Sequence, residues 1–215
     1  MDPGFFVSKP MKRIAFFIDG FNVYHALQKD RRYHKYKWLD YRALAKALVS
    51  RDNQIVDVFY FTAYTDWDAT KKARHQLFTK ALQLNGVKII FGKFKLRDKT
   101  CTICRKTYKT FEEKQTDVNI AIALFNAALH DDFDTAILVT GDSDLIPAVE
   151  AVKVAFPAKQ IGLVIPIGRS AEELKNACDF HIKLKEKHLR TCQFPNEIVL
   201  DPIKNITLKR PPSWT

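Results

Sequence analysis

Apolar positions along this chain fall into short continuous runs separated by longer stretches with helical spacing. Arg13–Ile18 (RIAFFI), Ile55–Ala63, Val87–Phe91, Thr135–Val139 (TAILV) and Gln160–Ile165 read as buried strands, and Phe180–Leu184 as an edge strand. Helices are predicted over Gly20–Lys29, Tyr41–Ser50 behind Asp40 as N-cap, and Asp68–Leu84 closed by Asn85-Gly86. Three more follow at Lys114–His130, Asp142–Val154 and Ala171–Asn176. In the 114–130 segment the spacing is carried by Val118, Ile122, Phe125 and Leu129. Alternation of this kind predicts an α/β fold, a mainly parallel central sheet with helices on both faces and right-handed crossovers. Ligands in such sheets bind outside the carboxyl ends of the strands. Asp19 follows the first strand, and Asp142 and Asp144 follow TAILV, so all three should share one edge.

Two segments break the alternation. Residues 30–38 (DRRYHKYKW) form a basic, aromatic-rich connection, and residues 92–113 surround a Cys-x-x-Cys with lysines and arginines and read as an inserted basic hairpin. Residues 1–10 read as an N-terminal arm or expression remnant, 11–184 as one domain, and 185–215 as a basic extension that wraps the body or stays partly mobile.

Composition narrows the function. The 215 residues include 35 Lys and Arg against 24 Asp and Glu, a net charge of +11. A basic surface favours polyanions, because each neutralised phosphate releases counterions. There is no apolar run of membrane-spanning length. The N-terminus lacks the pattern of a secretion signal, so a cytoplasmic location and free thiols are the default expectation.

Against this basic background, a set of acids needs its own account. IDGFN delivers Asp19 at the end of a strand and Asn22 one turn into a helix. EEKQTDVN puts Asp117 in the first turn of the 114–130 helix, and VTGDSD puts Asp142 and Asp144 at the start of another. A single acid at a helix N-terminus is favoured by about 0.3–1 kcal/mol and needs no function. Several convergent acids are different: two carboxylates about 5 Å apart repel by roughly 3 kcal/mol at an effective dielectric near 20. Mg²⁺ or Mn²⁺ relieves that repulsion through hard oxygen ligands, and can orient a phosphodiester and lower the pKa of an attacking water. Thr140 and Ser143 offer hydroxyls in the same loop, and Glu112 and Glu113 lie just before the helix.

FFIDGFNVYHAL, EEKQTDVNIAIAL and AILVTGDSDLIPAVE together resemble an NYN domain of the LabA-like group, related to PIN nucleases. The ending FPNEIVL…LKRPPSWT is similar to that of some members. The resemblance implies a PIN-like three-layer α/β/α fold and divalent-metal hydrolysis of phosphodiesters, commonly RNA. It assigns catalysis and metal binding to Asp19, Asp117, Asp142 and Asp144, with Asn22 beside them. Family members often carry glycine after the lysine of the central motif, where this chain has Gln115 after Lys114.

Substrate contact is expected from Arg31, Arg32, Lys35 and Lys37 in the first basic segment, and from Lys93, Lys95, Arg97 and Lys114 around the hairpin. Cations there can hold phosphates while neighbouring aromatics stack on unpaired bases. Single-stranded or structured RNA is the expected partner, with DNA as an alternative. Cys101 and Cys104 are half of a structural Zn²⁺ set, a redox pair or plain turn thiols; spacing does not choose. His25 and His75 fall within helical patterns and read as packing residues. A haloacid-dehalogenase-type phosphatase would need Asp-x-Asp after the first strand, but the chain reads Asp19-Gly20-Phe21. A non-catalytic RNA-binding module is the remaining alternative.

Overall fold

The computed structural model describes residues 11–201, 204 and 206–214. The arm expected at 1–10 lies outside them. Six strands form the central sheet: β1 (Arg13–Asp19), β2 (Gln54–Thr62), β3 (Lys88–Phe91), β6 (Thr135–Val139), β7 (Gln160–Ile165) and β8 (Phe180–Lys183). Their order is β3-β2-β1-β6-β7-β8, and every neighbouring pair is parallel. Helices α1 (Gly20–Lys29), α2 (Tyr41–Leu48), α3 (Ala69–Leu84), α4 (Thr116–Leu129), α5 (Ile146–Ala155) and α6 (Glu172–Ala177) connect them, and α7 (Glu186–Thr191) follows β8.

Strand β1 shows why the sheet needs two covering layers. Its side chains alternate between faces. Ile14, Phe16 and Ile18 enter a core shared with Val23, Leu27, Leu44, Phe78 and Leu82. Ala15 and Phe17 enter a second core with Ile120, Leu124, Val149 and Leu174. Both faces are therefore apolar and buried, as an all-parallel sheet requires.

Residues 92–113 do form a hairpin, β4 (Lys93–Thr100) paired antiparallel with β5 (Thr107–Lys114) outside the main sheet. Trp67, in the loop before α3, stacks on Phe111 of β5 at 3.6 Å between centroids and meets Phe94 of β4 edge-on at 4.8 Å. That contact pins the hairpin beside the sheet. The helix after it begins at Thr116, and Gln115 stands at φ 83°, in the left-handed region that costs an ordinary side chain about 1 kcal/mol.

One expectation changes in detail, and another is narrowed to one of its alternatives. In α4 the residues that carried the helical spacing, Val118, Ile122, Phe125 and Leu129, face solvent, while Ile120, Leu124, Ala127 and Ala128 are buried. The helix is apolar nearly all round, so periodicity alone had no unique face to choose. In the basic extension, α7, the hairpin of β9 (Glu197–Asp201) and β10 (Ile206–Lys209), and a final 3₁₀ turn are built onto the body. Leu189, Cys192, Phe194 and Trp214 join the first core, and Trp214 packs on Phe78 and Trp38 at 5.5 and 6.2 Å.

Candidate active site

The strand order reverses between β1 and β6, and a crevice forms outside their carboxyl ends. Asp19 ends β1, and Thr140-Gly141-Asp142 follow β6 at the adjacent position. Asp117 arrives from the first turn of α4. One carboxylate oxygen from each of Asp19, Asp117 and Asp142 lies within 4.8 Å of the others. The shared edge expected from the sequence is thus present, and α4 adds the third acid to it.

Asp19 is held on both oxygens. Asn22 donates its backbone N–H to Oδ1 at 2.9 Å, and the Thr140 hydroxyl donates to Oδ2 at 2.9 Å. The same hydroxyl accepts the Asp142 backbone N–H at 3.1 Å, so one side chain fixes two of the acids. Asn22 Oδ1 accepts the Gly141 N–H at 3.0 Å and ties α1 to the loop after β6. Asp142 Oδ1 accepts the Asp144 N–H at 3.0 Å and caps a 3₁₀ turn, Ser143–Leu145, ahead of α5. Glycine at position 20 answers to space: a β-carbon there would lie 2.5 Å from the Tyr60 ring and 2.7 Å from the Phe61 carbonyl oxygen. A larger residue would push α1 off β2 and move Asp19 with it.

Electrostatics mark the cluster as incomplete by itself. Burial pushes the Asp19 carboxyl above its usual value, against its two hydrogen bonds, and the charges of Asp142 and Glu113 add to the rise. Asp117 is pushed up to about 6 by burial first, then by Asp19, Asp142, Glu113 and Asp144. None of the three clustered acids forms an ion pair among the described residues. Three hard oxygen donors, close together and uncompensated, fit a divalent cation such as Mg²⁺ or Mn²⁺.

The other sequence candidates separate by place. Asp144 is exposed and outside the three-carboxylate group, although its charge reaches Asp117. Glu113 caps α4, accepting the Thr116 backbone N–H at 3.1 Å, and lines the crevice. Of the eight basic candidates only Lys37 lines it. Arg31, Arg32 and Lys35 sit on a 3₁₀ helix, with Arg32 tied to Asp30 at 2.6 Å. Lys93, Lys95 and Arg97 stand exposed on the hairpin, and Lys114 pairs with Glu112 at 3.1 Å. Cys178 and Cys192 are buried in different cores, and no group of three possible metal ligands includes Cys101 or Cys104 among the described residues.

Sequence reading missed the rest of the crevice wall. The space is about 760 Å³ and is lined also by Trp67, Arg74, Phe94, Phe111 and Arg169. None of these lies in the acidic motifs, and only the chain's path brings them there. His75 also lines it but donates or accepts at Thr62 Oγ (3.0 Å), and burial lowers it to about 4, which keeps it neutral.

The chain is similar to known proteins in sequence and in fold. The NYN domain family model matches residues 13–185. Two curated relatives are each 26% identical. One is 6-hydroxy-3-succinoylpyridine 3-monooxygenase HspA of Pseudomonas putida, aligned over 96% of this chain and 76% of its own. The other is the low amplitude and bright protein LabA of Synechococcus elongatus, over 89% and 95%. A crystal structure of a Vibrio parahaemolyticus protein of unknown function has the same fold, with TM-score 0.60 and 18% identity over 83% of this chain and 96% of that one.

Proposed function

Because the chain belongs to the NYN domain family, we infer that it is a divalent-metal-dependent nuclease that hydrolyses phosphodiester bonds in RNA. The observation that carries this reading is the cluster of Asp19, Asp117 and Asp142 at the switch point of a parallel sheet. These three acids would hold Mg²⁺ or Mn²⁺, which when bound supplies charge to the phosphate oxygens and lowers the pKa of water. Asp19 is the pre-set ligand, locked by Thr140 and the Asn22 backbone. Asp117 is the responsive one: burial and the neighbouring acids push its carboxyl up to about 6, and a bound cation would relieve that cost. Thr140 and Asn22 act as positioning residues, and Asp144 contributes through its charge. Lys93, Lys95, Arg97 and the Arg31–Lys37 segment give the basic approaches that a polyanion needs.

A second reading comes from the Pseudomonas relative, whose name makes it a monooxygenase of a substituted pyridine. The aromatic and cationic walls of this crevice also suit a small aromatic carboxylate. Oxygen uptake with 6-hydroxy-3-succinoylpyridine and a reduced nicotinamide or flavin donor tests it, and no uptake removes it.

The deciding assay incubates end-labelled RNA and matched DNA with Mg²⁺, Mn²⁺ or EDTA, using wild type beside Asp142→Asn. Metal-dependent RNA products that vanish in the variant support the nuclease. RNA bound but never cut supports the non-catalytic module, and products that persist in Asp142→Asn place the chemistry elsewhere.

A further inference from the structure

The crevice is larger than the acid cluster needs, and its second half has a different chemistry. Lys37 is only 7% exposed, yet it has no carboxylate partner among the described residues. Its ammonium donates to Gln28 Oε1 and sits 5.3 Å from the centre of the Tyr24 ring. A buried lysine without an anion is costly, since burial disfavours the charged form. Burial lowers its pKa, and Arg74 adds repulsion, so the two cations face the same space. Arg74 is likewise in no ion pair among the described residues.

Helix α3 carries Arg74 on the face that lines the crevice, and Trp67 stands just before its N-terminus. Phe111 covers one face of the Trp67 indole and Phe94 its edge, yet Trp67 stays 43% exposed. Beside it, Thr65 Oγ is buried with no hydrogen-bond partner among the described residues. A rigid aromatic platform, an idle hydroxyl and two unpaired cations make a wall suited to one unpaired nucleotide.

We propose that this half of the crevice is a nucleotide subsite for single-stranded RNA, in which Lys37 and Arg74 hold the phosphate next to the scissile one and Trp67 stacks the base. The assignment rests on the nuclease reading and adds which strand state is taken and which residues take it. Duplex RNA is disfavoured because its bases are already stacked and paired.

The test uses the full chain with Asp142→Asn, in which cleavage is expected to be lost, in Mg²⁺. The probes are a fluorescein-labelled oligouridylate, its duplex with oligoadenylate, and an abasic oligomer of equal length. Binding of the oligouridylate should quench tryptophan emission in the parent and much less in Trp67→Phe, because Trp67 is 43% exposed whereas Trp38 is 0% and Trp214, which also lines the crevice, 8% exposed. Trp67→Ala should weaken oligouridylate binding about tenfold and leave the abasic oligomer unchanged, while Trp67→Phe keeps most of the affinity. Arg74→Gln should weaken both about tenfold and cut the slope of log affinity against log salt by about 0.7. Equal losses for abasic and base-bearing strands in Trp67→Ala would make Trp67 only a clasp for the hairpin and overturn the subsite. Unaltered binding in both Trp67→Ala and Arg74→Gln overturns it too, with the nuclease untouched. A parent protein that binds no RNA at all sinks the nuclease reading and the subsite together.

Discussion

Aspartates gather beyond both ends of strands β1 and β6, and the two edges treat them in opposite ways. At the amino end, Asp131 and Asp134 meet Arg13 at 3.0 and 2.7 Å, and Lys159 reaches Asp131 at 2.6 Å. Hydrogen bonds to these cations hold both carboxyls below their usual range, with Lys159 leading at Asp131 and Arg13 at Asp134. At the carboxyl end, Asp19, Asp117 and Asp142 face one another and form no ion pair among the described residues, and the first two are raised. The same residue type thus staples the fold at one edge and stores unrelieved repulsion at the other. Proteins keep such a cost where a ligand removes it.

The largest expected contrast is catalytic. Asp142→Asn should lower metal-dependent RNA cleavage at least about a hundredfold. Asp134→Asn should leave cleavage within about twofold and lower the melting temperature by roughly 3 °C. Comparable losses of activity from both would erase the distinction between the edges. Next in size is the frame that sets Asp19. Gly20→Ala should cost about 1–3 kcal/mol in denaturant unfolding, since the new methyl meets Tyr60 and the Phe61 carbonyl. A variant as stable as wild type would mean that α1 shifts freely.

The edges should also answer pH in opposite directions. Asp117 rises from 3.8 to about 6 on folding, so without metal the folded state keeps a proton that the unfolded chain has lost. Its contribution therefore declines as pH climbs from about 4 to about 6 and is fully unfavourable above that. Asp131 and Asp134 are lowered, so their contribution is present above the usual carboxylate value and fades as pH falls through their folded values. In EDTA, Asp117→Asn should raise the melting temperature at pH 7 and match wild type near pH 4. Mn²⁺ should stabilise wild type above pH 6 and leave the variant nearly unmoved. An unchanged melting temperature for Asp117→Asn at pH 7 would show that the acids do not strain one another. The smallest effect belongs to Gln115, whose φ of 83° suits glycine. Gln115→Gly should add about 0.5 kcal/mol, the relief of backbone strain minus the extra freedom of the unfolded chain.

By itself the sequence determined the framework. Continuous apolar runs such as RIAFFI and TAILV have to be buried on both faces, which leaves a parallel sheet between helices. It also determined that Asp19 and Asp142 share an edge, because each sits at the end of such a strand. Other decisions belonged to the tertiary structure. Which face of α4 is inward was one: Ile120 and Leu124 are as apolar as Ile122 and Leu129, and only docking on β1 and β2 selects between them. Another was membership of the crevice. Asp117 is drawn in by α4 and Lys37 is buried there, whereas Asp144, two residues from Asp142, turns outward because the loop is capped by Asp142 itself. Trp67, Arg74 and Arg169 carry no local signal at all. Convergence of residues far apart in the chain is a property of how helices and hairpin pack on the sheet, and no local pattern of residues encodes it.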